Sequence, residues 1–221
     1  MLEARKNRLF EALFSVYNRN LLRRRFDSFN VSGLRSLTDF PVIFYANHSS
    51  WWDGLAAFHL SRCLKLNSFV MMEEKQLKRF FLFRRLGAFS INREKPRDTL
   101  LSLSYAARLL RSSSDPVLWI FPQGEILPND LRPLVFYNGL SRIVKELGRC
   151  TLSSISIRYE FLGDFKPSVF VKIDQPRIID FTDFKEKTSL TRFITGIAEK
   201  NLDELKGSVV SRSFDDFRNI I

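Results

Sequence analysis

In the segment Tyr45-Ala-Asn-His-Ser-Ser-Trp-Trp-Asp53, His48 stands five residues before a carboxylate; the chain has only two histidines. Positions five apart in a regular helix lie about 140° from each other and share no face. The pair can meet if His48 sits in a loop and Asp53 enters the first turn of the helix that follows. The carboxylate would then hold one ring nitrogen and leave the other free to take a proton. That is the base–orienter half of a catalytic triad, without a nucleophile. The plainer reading makes Asp53 a helix cap or first-turn acid and His48 a loop histidine bonded to backbone. Spacing alone does not choose between them.

The flanking elements limit the choice. Pro41 to Ala46 is a buried-strand run, and Trp52, Leu55, Ala56, His59, Leu60, Cys63 and Leu64 recur at helical spacing. His59 falls on that apolar stripe and reads as a core histidine. Strands are predicted at 68–72, 88–92, 117–121, 151–159 and 168–173. Helices are predicted at 74–85, 96–111, 139–148 and 188–205. Strands alternating with helices imply an α/β fold with a largely parallel central sheet flanked by helices. In such sheets the loops after the strands' carboxyl ends build the site. Asn47–Asp53, Arg93 and Pro122–Glu125 all follow strands, so three polar clusters can converge on one crevice. The same residues also mark ordinary turns.

Ahead of this region, residues 5–25 read as an amphipathic helix. Phe10, Leu13, Phe14, Tyr17 and Leu21 form one stripe, and Arg5, Lys6, Arg8, Arg19, Arg23, Arg24 and Arg25 occupy much of the rest. Such a helix can lie in a membrane interface or pack on its own domain, and one arm can do both. The chain thus divides into a basic N-terminal helix, 1–30, and an α/β domain, 31–221. Its 221 residues suffice for one sizeable core. The net charge of +11 points to an anionic partner: nucleic acid, anionic lipid or a phosphorylated cofactor. No helix-turn-helix, zinc finger or aromatic RNA-binding motif supports nucleic acid. Cys63 and Cys150 lack metal-ligand spacing and read as buried thiols in a reducing compartment. No metal site is expected. No apolar run approaches the roughly 18 residues of a membrane span, and no signal peptide core is present. The expectation is a cytoplasmic protein held peripherally on the inner face of a membrane.

Three blocks carry a family resemblance. Asn47-His48-Ser-Ser-Trp-Trp-Asp53 resembles the Asn-His-x-x-x-x-Asp signature of the glycerolipid and lysophospholipid acyltransferases. Gly87-Ala-Phe-Ser-Ile-Asn-Arg93 is similar to their second block, an apolar strand ending in arginine. Phe121-Pro-Gln-Gly124 resembles the third, usually Phe-Pro-Glu-Gly, and Phe136-x-x-Gly139 matches the Phe-x-x-Gly that commonly follows. Order and spacing agree over roughly residues 40–160. Residues 161–221 carry no such motif.

The resemblance implies transfer of an acyl chain from a thioester, acyl-coenzyme A or acyl carrier protein, to a lipid hydroxyl, with no bound cofactor. His48 would be the base and Asp53 its orienter. Attack is direct, so no serine or cysteine nucleophile is needed. Backbone N–H groups near Gly124, or near Ser49 and Ser50, would stabilise the oxyanion. Arg93 would bind phosphate through its planar fork. Lys75, Arg84, Arg97 and Arg132 are looser phosphate candidates. Pro122, Gln123, Gly124 and Glu125 would contact substrate. Gln123 stands where the family usually has glutamate, Glu125 follows two residues later, and the usual arginine after this block is missing. These departures leave the acceptor open: a lysophospholipid, a glycolipid or another lipid. Gln123 also motivates a rival reading, a catalytically silent lipid-binding relative. A fourth block is approximated by Ser154-Ile-Ser-Ile-Arg158, which Tyr159 and Glu160 extend without an assigned role.

Overall fold

A computed structural model describes residues 1–34, 37, 39–163 and 165–221. Its elements in chain order are α1 (Arg8–Arg25), β1 (Phe29–Ser32), β2 (Val42–Ala46), α2 (Asp53–Cys63), β3 (Asn67–Glu73), α3 (Glu74–Arg79), β4 (Ala88–Ile91), α4 (Pro96–Ser112), β5 (Pro116–Ile120), α5 (Gly139–Leu147), β6 (Arg149–Glu160), β7 (Ser168–Ile173), β8 (Arg177–Asp180), α6 (Lys187–Val210) and β9 (Arg218–Asn219). Short 3₁₀ turns occupy Phe81–Leu86 and Phe181–Asp183.

The strands form one sheet in the order β4-β3-β5-β2-β6-β7-β1-β9, with β8 added to β6. From β4 to β6 every neighbouring pair is parallel. β7 is antiparallel to β6, β1 parallel to β7, and β9 antiparallel to β1. The expected fold class is therefore the observed one. β2 and β5 are buried along their whole length because helices cover both faces of the sheet. One apolar cluster, around Phe89, Leu110, Leu118 and Ile143, lies under α4 and α5. The other, around Phe44, Leu60, Trp119 and Val171, lies under α2 and the end of α1.

Three predictions needed correction. The helix expected over 74–85 is two pieces: α3 ends at Arg79, and a 3₁₀ segment follows from Phe81. Side chains three apart eclipse in a 3₁₀ turn, and there Phe80 stacks on Phe83 with centroids 5.5 Å apart. The first helix starts at Arg8, where Asn7 caps it by accepting the Phe10 N–H at 2.9 Å. Residues before it run as a strap along the domain, bonded to Arg84, Arg85 and Ser90. Cys150 is buried, but Cys63, at the end of α2, is exposed.

The α1 stripe, which the sequence leaves open to core or membrane, is divided in the structure. Glu11, Asn18 and Leu22 are buried, at seven- and four-residue intervals on one line. Asn18 donates to the Leu55 carbonyl of α2 at 3.1 Å, and Phe14 packs edge-on against Phe58 and Phe83. Leu13 and Tyr17 face solvent with Leu9 and Val16. Leu22 and Phe26 belong to the same apolar cluster as β2, so the helix is built into the domain core. Phe29 and Asn30 already pair with β7.

Candidate active site

The parallel strands β2, β3, β4 and β5 end along one edge, and the polar clusters gather there. β2 stops at Ala46 because the next side chain takes over the ladder. Asn47 accepts the Ile157 N–H at 2.8 Å and donates to the Ile157 carbonyl at 2.9 Å. Its amide thus acts as one more strand residue against β6, and the main chain is released into the loop. Asp53 is the first residue of α2. The loop-to-first-turn arrangement required by the spacing is the one present.

His48 Nδ1 lies 2.7 Å from Asp53 Oδ2. The same oxygen accepts the Ser49 and Ser50 N–H groups at 2.8 and 2.9 Å. Asp53 Oδ1 accepts the Tyr159 hydroxyl at 2.7 Å. Asp53 is fully buried; burying a carboxylate is tolerable only with partners of this kind. With donors on every side the carboxylate is the acceptor toward His48, so Nδ1 carries the proton and Nε2 is left as the basic nitrogen. Asp53, in the first turn of α2, ties the Ser49–Ser50 backbone and the histidine together; Trp52 caps the helix without a side-chain bond.

The main chain of His48 is clamped by the loop after β5. Gln123 Oε1 accepts the His48 N–H at 2.7 Å, and the Leu127 N–H donates to the His48 carbonyl at 2.9 Å. The Phe121 ring lies beside the imidazole with centroids 4.7 Å apart. The Tyr137 N–H bonds the Pro122 carbonyl at 2.9 Å and fixes this loop to the segment ahead of α5. Gln123 is therefore buried and turned inward, toward the His48 loop. Either amide or carboxylate oxygen can accept an N–H, which gives the Gln-for-Glu departure a structural reading.

Arg93 follows β4. Its Nε lies 3.3 Å from Glu73, at the end of β3, and its guanidinium sits over the Tyr137 ring at 5.5 Å. Gly124 has φ +71°, and a Cβ there would meet an Arg93 nitrogen at 2.3 Å. The left-handed backbone favours glycine, and an added Cβ would push the end of the Arg93 side chain aside.

His48 opens on a pocket of about 430 Å³. Leu55, Ala57 and Phe58 of α2, Val70 of β3, Phe83, Leu86 and Trp119 give it apolar walls. Arg93, Glu73, Glu125 and Tyr137 stand on the same pocket with Pro122 and Gly124. The structure brings together His48, Asp53, Arg93, Pro122, Gly124 and Glu125, and places Gln123 behind them. Other expected parts are already engaged. The Ser49 and Ser50 N–H groups bond Asp53, and the Gly124 N–H bonds the Phe121 carbonyl at 3.0 Å, so these are not oxyanion donors in this arrangement. Lys75 pairs with Glu94, Arg84 donates to the Glu3 carbonyl, and Arg132 pairs with Asp203 of α6. Glu73, Tyr137 and Tyr159 were not read as site residues. Glu73 ends a strand at the active edge, so the strand-end rule reaches it; nothing local marked the tyrosines.

The sequence matches the family model described as Acyltransferase over residues 28–158. A search of curated proteins finds no match. Among solved structures, the chain resembles the 1-acyl-sn-glycerophosphate (LPA) acyltransferase PlsC from Thermotoga maritima. The TM-score is 0.65 at 20% identity, over 89% of this chain and 79% of the other. That likeness concerns the fold, whereas the family match spans the dyad, Arg93 and the Gln123 loop together: the chain belongs to the acyltransferase family.

Proposed function

We propose that this protein moves a fatty acyl chain from an acyl thioester, on coenzyme A or acyl carrier protein, to a hydroxyl of a lysophospholipid or related lipid at an anionic membrane surface. The observation that carries this reading is a histidine with one nitrogen held by a buried carboxylate, opening on an apolar pocket with an arginine at its polar end. An alcohol attacks a thioester poorly until its proton is removed. His48 Nε2 takes that proton as the hydroxyl oxygen attacks the thioester carbonyl. The tetrahedral intermediate collapses, the carbon–sulfur bond breaks, and the thiolate leaves with the proton from His48. The apolar walls suit the acyl chain. Arg93 suits a phosphate on donor or acceptor, for which the phosphate would compete with Glu73. Gln123 is no argument against catalysis, since the bond it makes to the His48 backbone needs only an acceptor.

Among the described residues no helix is long and apolar enough to cross a membrane. The exposed Leu9, Leu13, Val16 and Tyr17 on α1, beside Arg23, Arg24 and Arg25, suit peripheral attachment, which we assign to the inner face of the membrane. The test is transfer of labelled acyl chains from acyl-coenzyme A and acyl carrier protein to a panel of lysolipids in vesicles. His48-dependent product with at least one pair is expected. No product with any pair, from folded protein that binds the vesicles, would sink the reading.

A further inference from the structure

We propose that Tyr159 is a positioning residue of the dyad: its hydroxyl fixes Asp53 so that one carboxylate oxygen is held on His48. The role rests on the acyl-transfer reading for its effect on turnover, but not for its effect on the histidine.

The geometry sets out the need. The Asp53 bonds to His48, Ser49 and Ser50 all converge on Oδ2, and all three donors belong to one loop. The terminal torsion of an aspartate is soft, so bonds to one oxygen leave the carboxylate plane poorly defined. Tyr159 supplies the other point, 2.7 Å from Oδ1. It comes from β6, where it pairs with Val169 of β7. The loop-and-helix half of the dyad is thereby braced against the sheet. The phenol is a dependable donor: burial raises its pKa well above 10, and the facing Asp53 charge adds to the shift. The seat of the ring is made by Phe26, at the end of α1, whose ring lies 5.6 Å from Tyr159 and 5.2 Å from Trp52.

A bystander that merely fills space would do so through its ring, not its hydroxyl. Tyr159→Phe keeps the ring and removes only the oxygen. Phe26→Leu keeps the oxygen and loosens the seat. Turnover would be measured with whichever donor and acceptor pair gives product in the transfer assay, and the histidine rings would be followed by ¹⁵N and low-field ¹H NMR on the free protein. His59, buried and bonded to the Ile220 carbonyl at 3.2 Å, is the internal control. Tyr159→Phe should lower kcat on the order of tenfold with KM nearly unchanged, the pattern of a lost transition-state contact. The His48 Nδ1 proton signal should weaken and the other tautomer should appear, with His59 unmoved. Phe26→Leu should do neither to the same degree. If wild type transfers no acyl group, the function above fails, yet the NMR still reads the dyad. A folded Tyr159→Phe protein with unchanged His48 signals overturns the proposal. So does a Phe26→Leu protein that is impaired while Tyr159→Phe is not.

Discussion

His48 is held at three points: its N–H by Gln123, its carbonyl by Leu127 and its Nδ1 by Asp53. Among the described residues nothing holds the nitrogen that would do chemistry. His48→Ala should therefore reduce acyl transfer by roughly 10²–10⁴-fold, the usual loss with a general base, while circular dichroism stays native. Near-normal turnover in that variant would remove His48 from the mechanism. Gln123 gives a sharper test, because its position allows a role in the loop but not an open contact with acceptor. Gln123→Glu should leave the ranking of lysolipid acceptors unchanged, and Gln123→Leu should lower kcat by freeing the His48 backbone. A changed ranking in the glutamate variant would mean that this side chain reads the acceptor after all. Gly124→Ala should act through its neighbour. The added methyl must displace Arg93, so KM for the phosphate-bearing substrate should rise as it does in Arg93→Ala, and a normal KM would mean that Arg93 is not the phosphate contact.

At the scale of elements, α1 differs from an ordinary surface helix. Its inner line carries Glu11 and Asn18, and its outer line carries Leu9, Leu13, Val16 and Tyr17. Burial of the polar side chains is made tolerable by bonds, from Lys6 to Glu11 and from Asn18 to Leu55, and not by the hydrophobic effect. Periodicity marks an apolar stripe but not the direction it faces, which is why the sequence left core and membrane readings level. The outer apolar line favours the membrane, with Arg23, Arg24 and Arg25 beyond it. Each basic residue near an anionic surface contributes about 1 kcal/mol, and salt screens it. Charge reversal of the three arginines to Glu should weaken co-sedimentation with anionic liposomes at low salt. Leu9→Asp with Leu13→Asp should remove the part that survives high salt. Because these side chains are exposed, both proteins should keep their melting temperature; full liposome binding by both would exclude α1 as the anchor.

Across the whole molecule, alternating strands and helices were legible because buried parallel strands and covering helices write long apolar runs. β1, β8 and β9 were missed: they are as short as β4 or shorter, and unlike β4 none of them lies between two helices, so no strand–helix alternation marks them. Spacing and the strand-end rule allowed His48 to meet Asp53 and put Arg93 on the same edge, but only the family blocks picked these residues out from ordinary turns. Tyr159 was not legible, because it meets Asp53 from β6, a neighbour of β2 in the sheet but 106 residues from Asp53 in sequence. The pocket was equally hidden: its walls come from α2, β3, β5 and the 3₁₀ turn, each of which reads locally as plain core. Those walls make a last prediction that needs no acceptor. A ligand that binds only the folded state stabilises it by mass action, by about 2.7 kcal/mol at a hundredfold excess over Kd. A non-hydrolysable acyl-coenzyme A analogue should therefore raise the melting temperature, and the shift should grow with chain length until the apolar pocket is filled. Coenzyme A alone should give a smaller shift, because it leaves that pocket empty. Val70→Trp would place a large ring on the pocket wall, so the plateau should come at shorter chains while the shift from coenzyme A stays the same. Equal shifts for all chain lengths in the parent protein would mean that the acyl chain lies elsewhere.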